Sequence, residues 1–327
     1  MVFFNSFTII IIAASLTLLA AAQPSSFLGV NLGNVLEAPL EGQWAPAAEE
    51  AYFDAYLAAK LTVIRVPVRW DNHTLQSAPY TINATWLARV KEVVTWGTSR
   101  GLPVIINSHH DDWIDIPDNF ETELPRFKAI WTQVSAYFSD FSDTLLHFEV
   151  LNEPVKMNVT QLNEMNAAII PIMRQLNPTR PIYLGGLQWM SPYWILNNPD
   201  TMIFPLLPNG AVDPNLRLET HSYDPYNSCG GKNVPLTPTD FATISALYAN
   251  ISNWGVTRHI AVLMGEAGCE ESENRPDRLK WYETIGAGSK LLSGLTFWDD
   301  DGNFGILNRQ TMVWDQGILD ALYAGRG

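Results

Sequence analysis

Two short stretches put a carboxylate where an apolar run ends. In F-E-V-L-N-E-P (148–154) the run reaches Asn152 and Glu153 and is stopped by Pro154, which cannot donate to a strand ladder. In H-I-A-V-L-M-G-E-A-G (259–268) the run reaches Gly265 and then Glu266. Two carboxyls raised on strand ends can face each other across a pocket. If one is held protonated and the other ionised, the first can protonate a leaving oxygen. The second can attack the carbon being left, or activate water against it. That division is the chemistry of glycoside hydrolysis.

Other apolar runs end in polar residues suited to the same work. Asn31 lies in the first run and Arg65 in the second. Asn107, His109 and His110 close the third, His221 and Tyr223 the sixth, and Trp298 the eighth. Arg65 can hold a carboxylate ionised, and Tyr223 can donate to the same carboxylate. Asn152 and the histidines can position sugar hydroxyls, and Trp298 can form a floor under a ring. Each has a plainer reading. A strand-end Glu is often a solvated loop carboxylate, and Arg65 can simply pair with Asp71 or Glu92. His109, His110, Asp111 and Asp112 resemble a metal cluster but lack a second ligand pair at matching spacing, so no metal is assigned. Asp299, Asp300 and Asp301 read as a solvated turn.

The elements that must carry these residues follow from periodicity. Apolar, β-rich runs occur at 27–32, 61–68, 102–107, 145–151, 181–187, 216–221, 259–265 and 294–298. Amphipathic helical patterns lie between them at 48–59, 85–97, 127–138, 160–176, 240–250 and 277–287, with Thr85 and Asp240 as expected N-caps. Near-continuous apolar strands alternating with helices imply a parallel sheet buried on both faces. Eight such units predict a single (β/α)8 TIM barrel, which carries its site at the C-terminal ends of the strands. An open doubly wound sheet is the alternative, but G-V-N-L-G-N (29–34) lacks the spacing of a dinucleotide loop.

The chain has 327 residues, 47% hydrophobic and 17% charged, which suits one large domain, and shows no linker or appended module. A net charge of −14 disfavours nucleic acid and anionic membranes as partners. Residues 1–22 read as a secretory signal with small residues at Ala20 and Ala22, so the mature chain is expected to start at Gln23 and to be extracellular; an uncleaved anchor is the alternative. Two cysteines, Cys229 and Cys269, suit one disulfide in an oxidising compartment or else two buried thiols. Sequons begin at Asn72, Asn83, Asn158 and Asn250. Trp44, Trp113 and Trp189 are either outer platforms for sugars or packing against helices.

Seven pieces, in order, resemble glycoside hydrolase family 5, the cellulase family. They are G-V-N-L-G-N-V-L-E-A-P (29–39), V-I-R-V-P-V-R-W (63–70), I-I-N-S-H-H-D (105–111), L-N-E-P (151–154), H-S-Y-D-P (221–225), M-G-E-A-G (264–268) and F-W-D-D (297–300). The resemblance implies that Glu153 is the general acid/base and Glu266 the nucleophile. Arg65, His109, Asn152, His221, Tyr223 and Trp298 match the family's other shared site positions. It implies a retaining double displacement without metal or organic cofactor, carboxyl groups about 5–5.5 Å apart, and a cis peptide between Trp298 and Asp299. The implied substrate is a β-glucan, most directly a β-1,4-glucan cut internally by a monomer. β-1,3-Glucans, mannans, xyloglucans and glycolipids are also substrates within the family. H-S-Y-D-P replaces a bulkier H-Y-Y-D-P form, which leaves those subsite contacts open. A carbohydrate-recognition protein with residual catalysis is the alternative from another class. A bridge between Cys229 and Cys269 would tie neighbouring loops at the mouth and needs Cα atoms about 4.4–6.8 Å apart.

Overall fold

A computed structural model describes residues 26–232 and 234–327. The expected signal segment, with its cleavage point, lies outside the described residues. The strands are β1 (Phe27–Asn31), β2 (Val63–Val66), β3 (Val104–Asn107), β4 (Leu146–Glu149), β5 (Ile182–Gly185), β6 (Leu216–His221), β7 (Ala261–Glu266) and β8 (Gly294–Phe297). All pair in parallel with their sequence neighbours, and β8 returns to β1, closing the barrel. The fold is therefore the expected (β/α)8 barrel.

Helices α1 (Glu50–Ala58), α2 (Ala84–Ser99), α3 (Phe120–Tyr137), α4 (Val159–Leu176), α5 (Pro192–Asn197), α6 (Pro238–Arg258), α7 (Arg275–Ser289) and α8 (Gln316–Arg326) surround it. The helix starts differ from the expected ones. Asn83, not Thr85, caps α2 by accepting from the Thr85 amide, and Thr237, not Asp240, caps α6. In α6 Thr237 and Asp240 form a reciprocal capping box, so Asp240 is the third residue of the first turn. Asn158 and Gln161 make the same box at α4. Among the described residues no helix is long and apolar enough to cross a membrane.

The barrel interior is filled in two storeys. Val63, Ile105, Tyr183 and Leu263 close the lower part as an apolar plug. Above it the strands turn Arg65, Glu149 and Glu219 inward, all fully buried. One irregularity shapes the mouth. Thr220 pairs with Met264 but His221 pairs with Glu266, so Gly265 is the extra residue of a bulge that sets His221 opposite Glu266.

Asp299–Asp301 is not a solvated turn. Asp300 is fully buried, held bidentately by Arg309 and by the Tyr56 hydroxyl at 2.6 Å. Its carbonyl accepts from the Leu307 amide at 2.6 Å. Asp299 is also buried and accepts from Asn34 Nδ2 at 2.7 Å. Arg309 belongs to a hairpin pairing Leu307–Asn308 with Val313–Trp314, beyond the last barrel strand. That hairpin brings a cation to an acidic segment whose local sequence holds none.

Candidate active site

The strand ends converge on Glu266. Arg65 Nη1 donates to its Oε1 at 2.6 Å and the Tyr223 hydroxyl donates to its Oε2 at 2.7 Å. Arg65 does not pair with Asp71 or Glu92, which meet Arg126 and Arg89. Its remaining donors go to Glu149 (Nε to Oε2 2.7 Å, Nη2 to Oε1 2.8 Å), Asn31 Oδ1 (2.8 Å) and Asn152 Oδ1 (2.8 Å). The planar fork of a guanidinium is what lets one side chain brace this many acceptors.

Glu153 stands across the mouth with its backbone at φ 46°, a left-handed conformation that costs a non-glycine residue free energy and is found where the fold over-determines it. One of its carboxylate oxygens accepts from His221 Nδ1 at 2.8 Å. An oxygen of Glu153 and one of Glu266 lie within 4.8 Å of each other, with His221 within the same distance of both. This trio has the spacing of cation ligands, but Arg65 and His221 already supply positive charge to both carboxyls, leaving little incentive for a metal ion.

The two carboxyls sit in unequal settings. Burial raises Glu153 above the ordinary carboxylate range, and the nearby Glu266 pushes the same way, while His221 opposes both. Burial alone would depress His221, but Glu266, Glu153 and Glu219 around it push it up to about 10. Burial raises the Tyr223 hydroxyl well above the usual phenol, so it remains a donor to Glu266.

Other expected residues fall into distinct places. His109 lies at the same mouth, kept neutral by burial, its Nδ1 beside Asn107 Nδ2 at 3.0 Å and its ring parallel to Trp298 at 6.0 Å. Asn107 acting as donor leaves His109 Nε2 as the ring's own donor. Asn152, whose Oδ1 is taken by Arg65, keeps Nδ2 for a ligand. Asn31 is fully buried, donates to the Gly265 carbonyl at 2.9 Å and accepts from Arg65; it is a brace beneath the site. His110, at φ 55°, packs edge-on against His109 and Trp44. Asp111 turns inward to Ser108 and the Asp71 amide rather than toward the two histidines. The Trp298–Asp299 peptide is cis.

The tryptophans divide. Trp113 is half-buried, under the Arg126 guanidinium at 4.2 Å and edge-on to Phe127, and so belongs to the packing. Trp44 and Trp189 are 47% and 59% exposed. Trp44 borders a cavity of about 430 Å³ that also involves Asn34, Trp298, Asp299 and Asp301. Trp189 follows β5, in a segment where Gln188, Trp189 and Met190 all have φ near 55–58°. Cys229 and Cys269 are bridged, with Cα atoms 4.0 Å apart, slightly closer than the usual span, and join the loops after β6 and β7. The asparagines of all four sequons are exposed.

Two residues at this site were not anticipated: Glu149 and Glu219, the buried carboxyls sharing Arg65. Each interrupts a strand buried on both faces, and a charge in such a strand demands a partner. That was the available signal.

The profile of a family described as Cellulase (glycosyl hydrolase family 5) matches residues 20–303. Endoglucanase H of Acetivibrio thermocellus is 39% identical over 307 residues, covering 90% of this chain and 32% of that protein. The chain thus spans about a third of that relative. Endoglucanase B of Ruminococcus albus is 29% identical over 317 residues, covering 88% of this chain and 75% of that protein. Solved structures of Thermotoga maritima Cel5A, one with cellobiose and one with mannotriose, superpose with a TM-score of 0.82 at 25% identity, covering 92% of this chain and 98% of theirs. With a matched profile running through nearly all of the barrel, the chain belongs to glycosyl hydrolase family 5, the cellulase family.

Proposed function

We propose that the protein is a retaining endo-β-1,4-glucanase in which Glu266 is the nucleophile and Glu153 the acid/base. The observation that carries this reading is the short separation of their carboxylate oxygens, within 4.8 Å. Inverting enzymes need room for a water between their carboxyls, about 6.5–9.5 Å, whereas a retaining pair sits about 5–5.5 Å apart. Glu266, gripped by Arg65 and Tyr223, is aimed into the mouth. It attacks the anomeric carbon. Glu153 gives its proton to the departing glycosidic oxygen, and the carbon–oxygen bond breaks as the bond to Glu266 forms. Glu153, now ionised, takes a proton from water, whose oxygen attacks the same carbon and frees Glu266.

Trp298 floors the sugar beside this carbon, and Asn152 Nδ2 and His109 Nε2 address its hydroxyls. Since Glu153 serves the leaving group, the aglycone lies on its side of the mouth. Trp189, projecting after β5 next to the strand of Glu153, is the platform there. Trp44 serves the opposite, glycone side. The disulfide, the exposed sequon asparagines and the expected signal segment support secretion. The relatives named endoglucanase support β-1,4-glucan as the polymer. The mannotriose complex of Cel5A gives mannan as a second reading.

The test is reducing-sugar release from β-1,4-glucan, β-1,3-glucan and mannan, with wild type beside Glu266→Gln. Activity on β-1,4-glucan that disappears in the variant is expected. Activity on mannan alone keeps the mechanism and replaces the polymer, and activity surviving in Glu266→Gln removes Glu266 as nucleophile.

A further inference from the structure

Glu219 has no part in the reaction as written, yet the barrel makes special room for it. It lies two residues before His221 on β6, completely buried. A Cβ on Gly265 would fall 1.7 Å from Glu219 Oε1, so the glycine before the nucleophile leaves the space that this carboxyl fills. Neither carboxyl oxygen of Glu219 has a well-formed hydrogen bond, and neither does His221 Nε2. What they face is each other and Arg65: Nε2 lies 3.5 Å and Arg65 Nε 3.1 Å from Glu219 Oε1. Burying a carboxyl is costly, and an apolar residue would fill the space more cheaply. Its presence there points to what it does to its neighbours.

We propose that Glu219 is a positioning residue for the acid step: it faces His221 Nε2 while Glu153 accepts from Nδ1, so that the ring has an acceptor on each nitrogen and is held as an imidazolium. The consequence is chemical. An imidazolium can only donate. It orients Glu153 but cannot take the proton that Glu153 carries, which leaves the glycosidic oxygen as that proton's acceptor. A neutral ring would offer Nδ1 as a competing base. Arg65, which meets both Glu219 and Glu266, ties this arrangement to the nucleophile.

The groups facing Glu219 and His221 from other elements are consistent with this. Arg65 from β2 is shared between Glu149 and Glu219; Glu149 receives it bidentately, and Glu219 takes the lesser share. Burial and the neighbouring Glu149 accordingly push Glu219 up to about 7. Glu153 and Glu266 face His221 and favour its charge, while His109 is neutral and adds none. Tyr183 on β5 is raised by burial and stays a neutral phenol.

The inference rests on Glu153 being the acid, and the experiment separates the two. Full-length wild type, Glu219→Gln and Glu219→Asp are labelled with 15N-histidine and the His221 ring is titrated by NMR. The turnover of cellotetraose, whose leaving group needs a proton, is compared with that of dinitrophenyl β-cellobioside, whose leaving group does not. In Glu219→Gln the His221 midpoint is expected to fall by at least about one pH unit. The variant should lose about 10-fold or more in kcat/KM on cellotetraose and about 3-fold or less on the dinitrophenyl substrate. Glu219→Asp, which keeps the carboxyl but withdraws it, should lie between. An unmoved His221 midpoint in both variants, or equal losses on both substrates, overturns the proposal. Glu153→Gln is run on the same pair of substrates. If it shows no leaving-group dependence, the assignment of Glu153 fails; if it does and Glu219→Gln does not, only the role of Glu219 fails.

Discussion

His221 Nδ1 lies 2.8 Å from a Glu153 carboxyl oxygen and 3.7 Å from Glu266 Oε2, so one ring touches both carboxyls of the proposed reaction. With Glu153 raised by burial and by Glu266, and His221 acting against that rise, the alkaline limb of kcat/KM is set by this contact. With Glu153 as the proposed acid, which must carry its proton to act, activity is expected below the pKa of Glu153 and is expected to be lost as pH rises through it. Removing His221 removes the influence that lowers Glu153. In His221→Ala the alkaline limb is expected to move to higher pH while kcat falls about 100-fold. A pH–rate profile of both forms on a soluble glucan checks it, and a limb displaced downward would contradict the assignment.

Arg65 is irreplaceable by another cation on this geometry. Its fork reaches Glu149, Glu266, Asn31 and Asn152 at once, all at 2.6–2.8 Å. Lysine offers a point charge and cannot span these acceptors. Arg65→Lys is expected to lower kcat by about 10²–10³-fold and to destabilise the fold by about 3 kcal/mol through the buried carboxylates left short of donors. Steady-state kinetics beside urea melts measure both; a variant that loses activity with unchanged stability would show that the network is catalytic only.

Trp189 is held out at an expense in backbone free energy. Gln188, Trp189 and Met190 are all left-handed, about 1 kcal/mol each for residues with a Cβ. Met190 anchors the turn by filling the space above Gly185, where an added Cβ would meet its Cε at 2.3 Å. An exposed indole presented in this way fits a sugar platform. Trp189→Ala is expected to raise KM for cellopentaose about 5–10-fold, roughly 1 kcal/mol, with thermal stability unchanged because the side chain packs against little. A variant with unaltered KM on long oligosaccharides would remove Trp189 from the aglycone side.

How much of this was legible in the sequence depends on where each residue's partner lay. Glu153 and Glu266 announced themselves as carboxylates just past the ends of apolar runs, Arg65 as a cation within one, and the alternation of runs pointed to the barrel that unites them. Glu149 and Glu219 lie inside such runs and were absorbed into the strand pattern, although a buried charge always implies a counter-charge. Asp300 was misread because Arg309 reaches it from a hairpin outside the repeating unit. Trp113 and Trp189 looked alike in sequence; only packing told the one under Arg126 from the one in solvent.

The disulfide closes a segment of 40 residues and ends three residues past Glu266. Opening it enlarges the freedom of the unfolded chain and loosens the loops after β6 and β7 together. Cys229→Ser/Cys269→Ser is expected to lose about 4 kcal/mol of unfolding free energy and to show reduced kcat at the unchanged optimum pH. Denaturant melts with and without reductant measure the first. Equal stability of the oxidised protein and the double variant would show that the bridge constrains nothing.

Away from the mouth, His147 supplies a prediction about stability. It is buried on β4 between Phe27 and Tyr183, and burial together with Arg217 and Arg180 depresses it from 6.5 to about 3. Its folded-state pKa lies below its unfolded one, so the unfolded chain takes up the proton first. The stability associated with the neutral ring is complete above pH 6.5 and drains away as pH falls from there toward 3. Between pH 6.5 and 4 the loss amounts to about 3 kcal/mol. His147→Phe removes the titration while keeping an aromatic ring beside Phe27 and Tyr183. The variant's own stability at pH 7 is not the point of the comparison; the difference between pH 7 and pH 4 is. Urea melts of wild type and variant at both values should show the wild type losing about 3 kcal/mol more than the variant on acidification. Parallel losses in the two proteins would place the acid sensitivity elsewhere, first among carboxylates whose pKa is lowered by arginine, such as Glu149.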